Sequence, residues 1–118
     1  MAIKLKELCN EPEGLIGGHR ACPGCAGPTA LRQVLLAAGR NVVVGCATGC
    51  MEVSTTIFPY TAWQVPFIHS AFENSAATIS GVEAAYRALK RKGKIDRPIH
   101  FIAFGGDGGT YDIGFQSL

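Results

Sequence analysis

The stretch IHFIAFGGDGGTYDIG, residues 99 to 114, runs a nearly continuous apolar segment into four glycines set around a single aspartate. Pro98 introduces Ile99 to Phe104, a near-continuous apolar run that predicts a strand. Upstream, Glu73 to Lys92 has the spacing of a long helix. Ile79, Val82, Tyr86 and Leu89 share one side, Glu83 and Arg87 form an i,i+4 pair, basic residues fill the last turn, and Gly93 follows. The same order occurs earlier. AGPTALRQVLLAAGRN, residues 26 to 41, places Pro28 in a first turn, Leu31, Val34, Leu35 and Ala38 along a stripe, and Gly39 just past the end. The β-branched run from Asn41 to Gly45 comes next, and helices alternating with short apolar strands predict an α/β domain with a parallel sheet flanked by helices.

Residues 51 to 71 are less regular. Val65 to Ile68 predicts one more strand, and Ser54-Thr55-Thr56 a loop or short helix. Tyr111 to Leu118 predicts the opening of another helix, with Ile113, Phe115 and Leu118 available for burial. Residues 1–118 are therefore expected to form the N-terminal part of one domain that is incomplete at its C-terminus.

Composition narrows the class. Of 118 residues, 47% are hydrophobic and 17% charged, which is enough apolar material for a packed core. Lysine plus arginine exceed aspartate plus glutamate by only 11 to 9, and the one basic run, Lys90-Arg91-Lys92, ends a helix, so no nucleic-acid partner is expected. Met1 to Leu8 lacks the apolar core of a signal peptide, and no segment approaches the ~18 apolar residues of a membrane span. The expectation is a cytoplasmic protein with no membrane partner. In such a compartment five cysteines, an odd and clustered set, point to metal binding or catalysis before a disulfide framework.

The loop FGGDGGTYDIG, residues 104 to 114, lies at the carboxyl end of a predicted strand, where ligands bind in open α/β sheets. Glycines let backbone approach a phosphate, amides at a helix start favour its charge, and a lone carboxylate is an oxygen ligand for Mg²⁺. Asp107 is the candidate metal ligand. No Lys-Ser/Thr pair follows the glycines, Tyr111 stands where a dinucleotide fingerprint needs Gly or Ala, and the acidic spacing of an EF-hand is missing. A glycine-rich turn in which Asp107 merely caps the next helix is the alternative.

Cys22-x2-Cys25 and Cys46-x3-Cys50 could supply four thiolates to zinc or ligands to an iron–sulfur cluster. A helix and a strand separate the two pairs, unlike the short hairpin of a zinc ribbon. Cys46 follows a buried run and, like Cys9, reads as a structural cysteine. A redox dithiol remains open for Cys22 and Cys25, although no strand precedes them.

Taken together, HRACPGCAG (19–27), GCATGC ending at Cys50, HSAFENSAATISGVEAA (69–85) and GGDGGTYDIG (105–114) resemble the thiamine-diphosphate subunit of the 2-oxoacid:ferredoxin oxidoreductases, most closely the pyruvate-type β subunit. The resemblance covers about His19 to Leu118. It implies a thiamine-diphosphate-binding fold with an iron–sulfur loop at about 19–27. Cys22, Cys25 and Cys50 match three ligands of a [4Fe-4S] cluster whose fourth would lie past Leu118. Gly106-Asp107-Gly108 matches the start of the thiamine-diphosphate signature, with Asp107 on Mg²⁺ and Gly109 and Thr110 continuing the loop; its closing Asn would also lie downstream. Thr48, Gly49 and Cys50 match the loop against the cofactor's thiazolium end. The implied reaction is reversible, CoA-linked oxidative decarboxylation of a 2-oxoacid, with electrons passing through the cluster to ferredoxin. The implied partners are further subunits of α, γ and δ type. Pyruvate is the expected substrate because residues 110 to 114 resemble that branch, with oxalate and other 2-oxoacids as alternatives. A non-enzymatic zinc module is the alternative from another class. The family's catalytic Glu comes from elsewhere, so no catalytic residue is assigned. Glu73 is explained by a helix start, His69 by a satisfied place in the core, and His19 and Arg20 by either anion steering or a solvated stretch.

Overall fold

The computed structural model describes residues 4–118, so Met1 to Ile3, the start of the segment that lacks the apolar core of a signal peptide, lie outside the described residues. Among the described residues, two helices, α1 (Leu5–Leu8) and α2 (Gly27–Ala38), precede strand β1 (Val42–Ala47), after which α3 (Cys50–Val53), β2 (Phe67–Ser70), α4 (Ser75–Arg91) and β3 (His100–Phe104) alternate. The sheet is parallel with strand order β2-β1-β3. This is the expected α/β class.

Both long helices end as their sequences direct. Pro28 occupies the first turn of α2, where its missing N–H costs nothing, and Gly39 terminates the helix at φ 77°, its N–H on the carbonyl of Leu35 at 3.0 Å. Lys90 and Arg91 fill the last turn of α4, Gly93 follows at φ 65°, and Arg87 pairs with Glu83 on the surface.

The register pairs Val42 with His100, Val44 with Ile102 and Cys46 with Phe104, while Val44 also pairs with Phe67. Alternation sends Val42, Val44, Phe67, Ile102 and Phe104 to one face, against Leu31 and Leu35 of α2 and against Leu15, Ala62 and Trp63. The Trp63 ring stacks on Phe67 at 4.8 Å and tilts against Phe104 at 6.0 Å, and its indole N–H donates to Thr55 Oγ1 at 2.8 Å. The other face takes α4. Gly45 permits that contact, because a Cβ there would come within 2.5 Å of Ile79 Cγ1. Residues 13 to 20 lie across the first face, with Ile16 N–H on the Ala62 carbonyl at 2.9 Å and Glu13 paired to Arg32 of α2.

Several local expectations shift. β1 continues through Cys46 and Ala47, and β2 starts at Phe67 rather than Val65. β3 forms where the apolar run predicts it, but His100 and Ala103 are exposed and its other residues half-buried, because among the described residues it pairs only with β1. After β3 the chain forms a π turn, Gly109–Ile113, and a 3₁₀ turn, Phe115–Ser117, in place of a regular helix, with Ile113, Phe115 and Leu118 exposed. Val34 of α2 is exposed as well. No described helix is long and apolar enough to cross a membrane.

Candidate functional site

Order β2-β1-β3 means that the chain leaves β1 for a neighbour on one side and returns, through α4, to pair on the other. A topological switch point therefore lies between β1 and β3, and ligands of such sheets occupy the crevice beyond the strands' carboxyl ends. A cavity of about 390 Å³ opens there. Its walls are Thr48, Gly49, Cys50 and Met51 after β1, and Gly105, Gly106, Asp107, Gly108 and Gly109 after β3, with Cys46, Ala47, Phe104 and Phe72 completing it. Two segments more than fifty residues apart in sequence are brought together because their strands are hydrogen-bonded neighbours.

The glycine loop divides into two parts. At Gly106 and Gly108 a Cβ would meet nothing within 4 Å, so these positions leave open space beside Asp107. At Gly109 a Cβ would collide with the carbonyl oxygen of Phe72, and at Gly114 with the carbonyls of Gly109 and Glu73. The first pair keeps the cavity free, and the second lets the turn pack against the β2–α4 connection. Asp107 is exposed. Thr110 is not on this cavity. Its N–H bonds the Gly106 carbonyl at 2.9 Å, and its hydroxyl lies under Gly105 beside a smaller space near Ser75.

Cys22-Pro23-Gly24-Cys25 is a tight turn closed by Cys25 N–H on the Cys22 carbonyl at 3.0 Å, with Pro23 second and Gly24 third at φ 78°, the chemistry of a type II turn. Both thiols are exposed, and Gly27 N–H approaches Cys25 Sγ at 3.4 Å. Gly27 is also where this turn meets the cavity wall. A Cβ there would lie 2.6 Å from Met51 Cε and 3.3 Å from Cys25 Sγ, so Met51 packs between the turn and the loop carrying Cys50. Sequence reasoning missed Met51, Phe72 and Phe104; the position of Met51 directly after Cys50 was the one available signal.

The five cysteines have different environments. Cys22, Cys25 and Cys50 are exposed; Cys46 is 1% exposed in the sheet, and burial together with the charge of Glu52 pushes its thiol from 9.0 up to about 11. Cys46 is thus the structural cysteine expected, held neutral. Cys9 is exposed, so the expectation of burial fails there; it precedes β1 in a short N-terminal turn that the core does not cover. Among the described residues no three His, Cys, Asp or Glu side chains converge as a single metal ion requires, and Cys46 cannot easily provide the fourth thiolate of a zinc site.

His69 is not a core histidine. It ends up half-exposed near the end of β2, its Nε2 2.7 Å from Thr48 Oγ1 and 3.5 Å from Oε2 of Glu52, which is buried in α3. Glu73 lies just before Asn74, the N-cap of α4. His19 is half-buried with Nδ1 lacking a partner among the described residues, and Arg20 donates its backbone N–H to the Ser54 carbonyl at 2.8 Å.

No family model matches the chain. It is 59% identical, over its whole length, to a protein of Thermotoga maritima named pyruvate synthase subunit PorB, of which it covers 39%. It is 58% identical over 86% of its length to the PorB subunit of Methanocaldococcus jannaschii, covering 35% of that protein. A ketoisovalerate oxidoreductase subunit VorB of Pyrococcus abyssi is 42% identical over 90% of the chain, which covers 34% of it. The chain thus spans little more than a third of the length of the curated relatives it matches.

Proposed function

The chain belongs to the PorB-type family of 2-oxoacid:ferredoxin oxidoreductase β subunits, and on that premise we propose that it contributes the thiamine diphosphate and cluster side of a pyruvate synthase. The observation that carries this is the meeting of the Thr48–Cys50 loop and the Gly106–Gly109 loop on one cavity at the switch point of the sheet. The donors fit the groups. Open backbone at Gly106 and Gly108 suits a diphosphate, and the exposed carboxylate of Asp107 suits its Mg²⁺. Exposed thiols at Cys22, Cys25 and Cys50 suit a [4Fe-4S] cluster, whose thiolates stand further apart than the ligands of one ion, and the Gly27 amide is a hydrogen bond of the kind that tunes such sulfurs.

When bound, thiamine diphosphate would supply the electron sink that decarboxylation needs, and the cluster would accept electrons singly on their way to ferredoxin. This chain's residues would orient and shield. Gly49 and Thr48 would flank the reacting end of the cofactor, Asp107 would anchor its charged end, and Met51, Phe72 and Phe104 would keep the space between apolar. In the complete assembly the acyl product would pass to CoA, with the remaining subunits and the 2-oxoacid pocket supplied from outside this segment, in the cytoplasm. The names of the relatives at 58 to 59% identity favour pyruvate, and VorB marks the neighbouring substrate branch.

The test is anaerobic purification of the full-length subunit with its partners. Iron and sulfide with broad visible absorbance are expected, together with Mg²⁺-dependent thiamine diphosphate binding that Asp107→Ala abolishes. Colourless protein carrying one zinc, or unchanged binding by Asp107→Ala, would overturn it.

A further inference from the structure

The segment from Thr48 to Cys50 has little to hold it. It leaves the sheet at Ala47, passes through Gly49, which has no side chain, and enters the single-turn helix α3 at an exposed Cys50. Among the described residues its one side-chain anchor toward the sheet is Thr48. The Thr48 N–H bonds the Ser70 carbonyl at 2.8 Å, and Oγ1 lies 3.1 Å from that same carbonyl and 2.7 Å from His69 Nε2.

The direction of these bonds depends on the imidazole tautomer. A hydroxyl has one proton and the Ser70 carbonyl can only accept, so when Thr48 gives its proton there, His69 in its Nε2–H tautomer donates to Thr48 Oγ1 and all three groups are satisfied. Glu52 favours the same tautomer. Glu52 is 6% exposed, its Oε1 takes the hydroxyl of Thr56, and its Oε2 faces His69 Nε2 at 3.5 Å, too long for a strong hydrogen bond but close enough for charge to act. A buried carboxylate needs such donors. The Thr56 hydroxyl is itself divided, since the Glu52 carbonyl lies 2.9 Å from it.

We propose that His69 is a positioning residue: its Nε2–H ties Thr48 to the end of β2, beside the buried Glu52 of α3, and so holds the Thr48–Cys50 loop in its place on the cavity wall. The imidazole acts through Thr48 and has no contact with the cavity itself. The inference rests on the assignment of that cavity to thiamine diphosphate.

Three variants of the full-length subunit, in its complete assembly, test it by calorimetric titration with thiamine diphosphate and Mg²⁺, alongside a thermal unfolding scan. His69→Leu removes the donor and is expected to weaken binding about tenfold, the scale of one lost hydrogen bond. His69→Gln keeps an N–H within reach of Thr48 and is expected to recover most of that loss. A merely structural histidine would shift the unfolding midpoint without this separation of Leu from Gln. Native affinity in His69→Leu, or a folded His69→Gln that binds no better than Leu, overturns the proposal. Should Leu fail to fold, native-like binding by Gln supports the donor role, and folded Gln with tenfold weaker binding refutes it. Asp107→Ala separates the two levels: native binding there removes the cavity assignment, whereas loss there with native binding in His69→Leu removes only the role of His69.

Discussion

The turn at Cys22–Cys25 and the loop at Gly105–Gly114 are both glycine-bearing connections, but they are held in different ways. The first is a self-contained four-residue turn, closed by its own backbone bond and leaning on one flexible side chain, Met51. The second is held by backbone against backbone, Gly109 on Phe72 and Gly114 on Glu73. A flexible neighbour can yield to an added methyl and a carbonyl cannot, so equal substitutions should have unequal effects. Gly109→Ala is expected to cost the most, about 3 kcal/mol, because overpacking here must displace main chain. Denaturant unfolding of the folded assembly would check it, and a cost below 1 kcal/mol would mean that the connection is far softer than its contacts indicate.

Cys46, buried in the sheet four residues before the exposed Cys50, sharpens the same contrast. Burial raises the Cys46 thiol from 9.0 to about 11, with the charge of Glu52 adding to it, so the folded state holds that proton more tightly than the unfolded chain. The contribution is fully present below pH 9 and is lost as pH rises through 11. Stability should fall by on the order of 2 kcal/mol across that window, a contribution that Cys46→Ala removes. Unfolding midpoints between pH 8 and 11 provide the measurement. For Gly27→Ala the expected cost is smaller, about 1 kcal/mol, because Met51 can swing aside. Its clearer effect should be on iron content, since the methyl also approaches Cys25 Sγ.

How much of this was readable in advance depends on where each signal resides. α2, α4 and the cores of β1 and β3 were legible because apolar spacing, a proline at one end and a glycine at the other are local properties. Asp107 and the exposed thiols were legible as residue types in a pattern. What was not legible depends on neighbours. β3 has the composition of a central strand, yet its burial is set by which strands pair with it. Tyr111 to Ile113 have helical character, yet the close approach of Gly109 and Gly114 to the β2–α4 connection accompanies a π turn there. A lone histidine reads as a satisfied core residue before a functional one, and only the pairing of β1 with β2 puts His69 beside Thr48. Phe72 carries no chemical signature and Met51 only its place next to Cys50, so the position of Phe72 on the cavity is a property of the fold alone.

The smallest expected effect on stability is also the most discriminating. Gly108 has φ −62° and ψ −43°, an ordinary helical conformation that alanine adopts without strain, and its Cβ would meet nothing within 4 Å. Replacing glycine at such a position restricts the unfolded chain, so Gly108→Ala should stabilise the protein by about 0.4 to 1 kcal/mol. The same methyl would enter the space beside Asp107 where the proposed diphosphate would approach the backbone. Thiamine diphosphate affinity should therefore fall as the unfolding midpoint rises. Opposite signs in one variant cannot come from a damaged fold. If affinity instead stays at the native level while stability rises, the open space at Gly108 does not face the bound cofactor, and the cradle would have to be drawn around Gly106 and Gly49 instead.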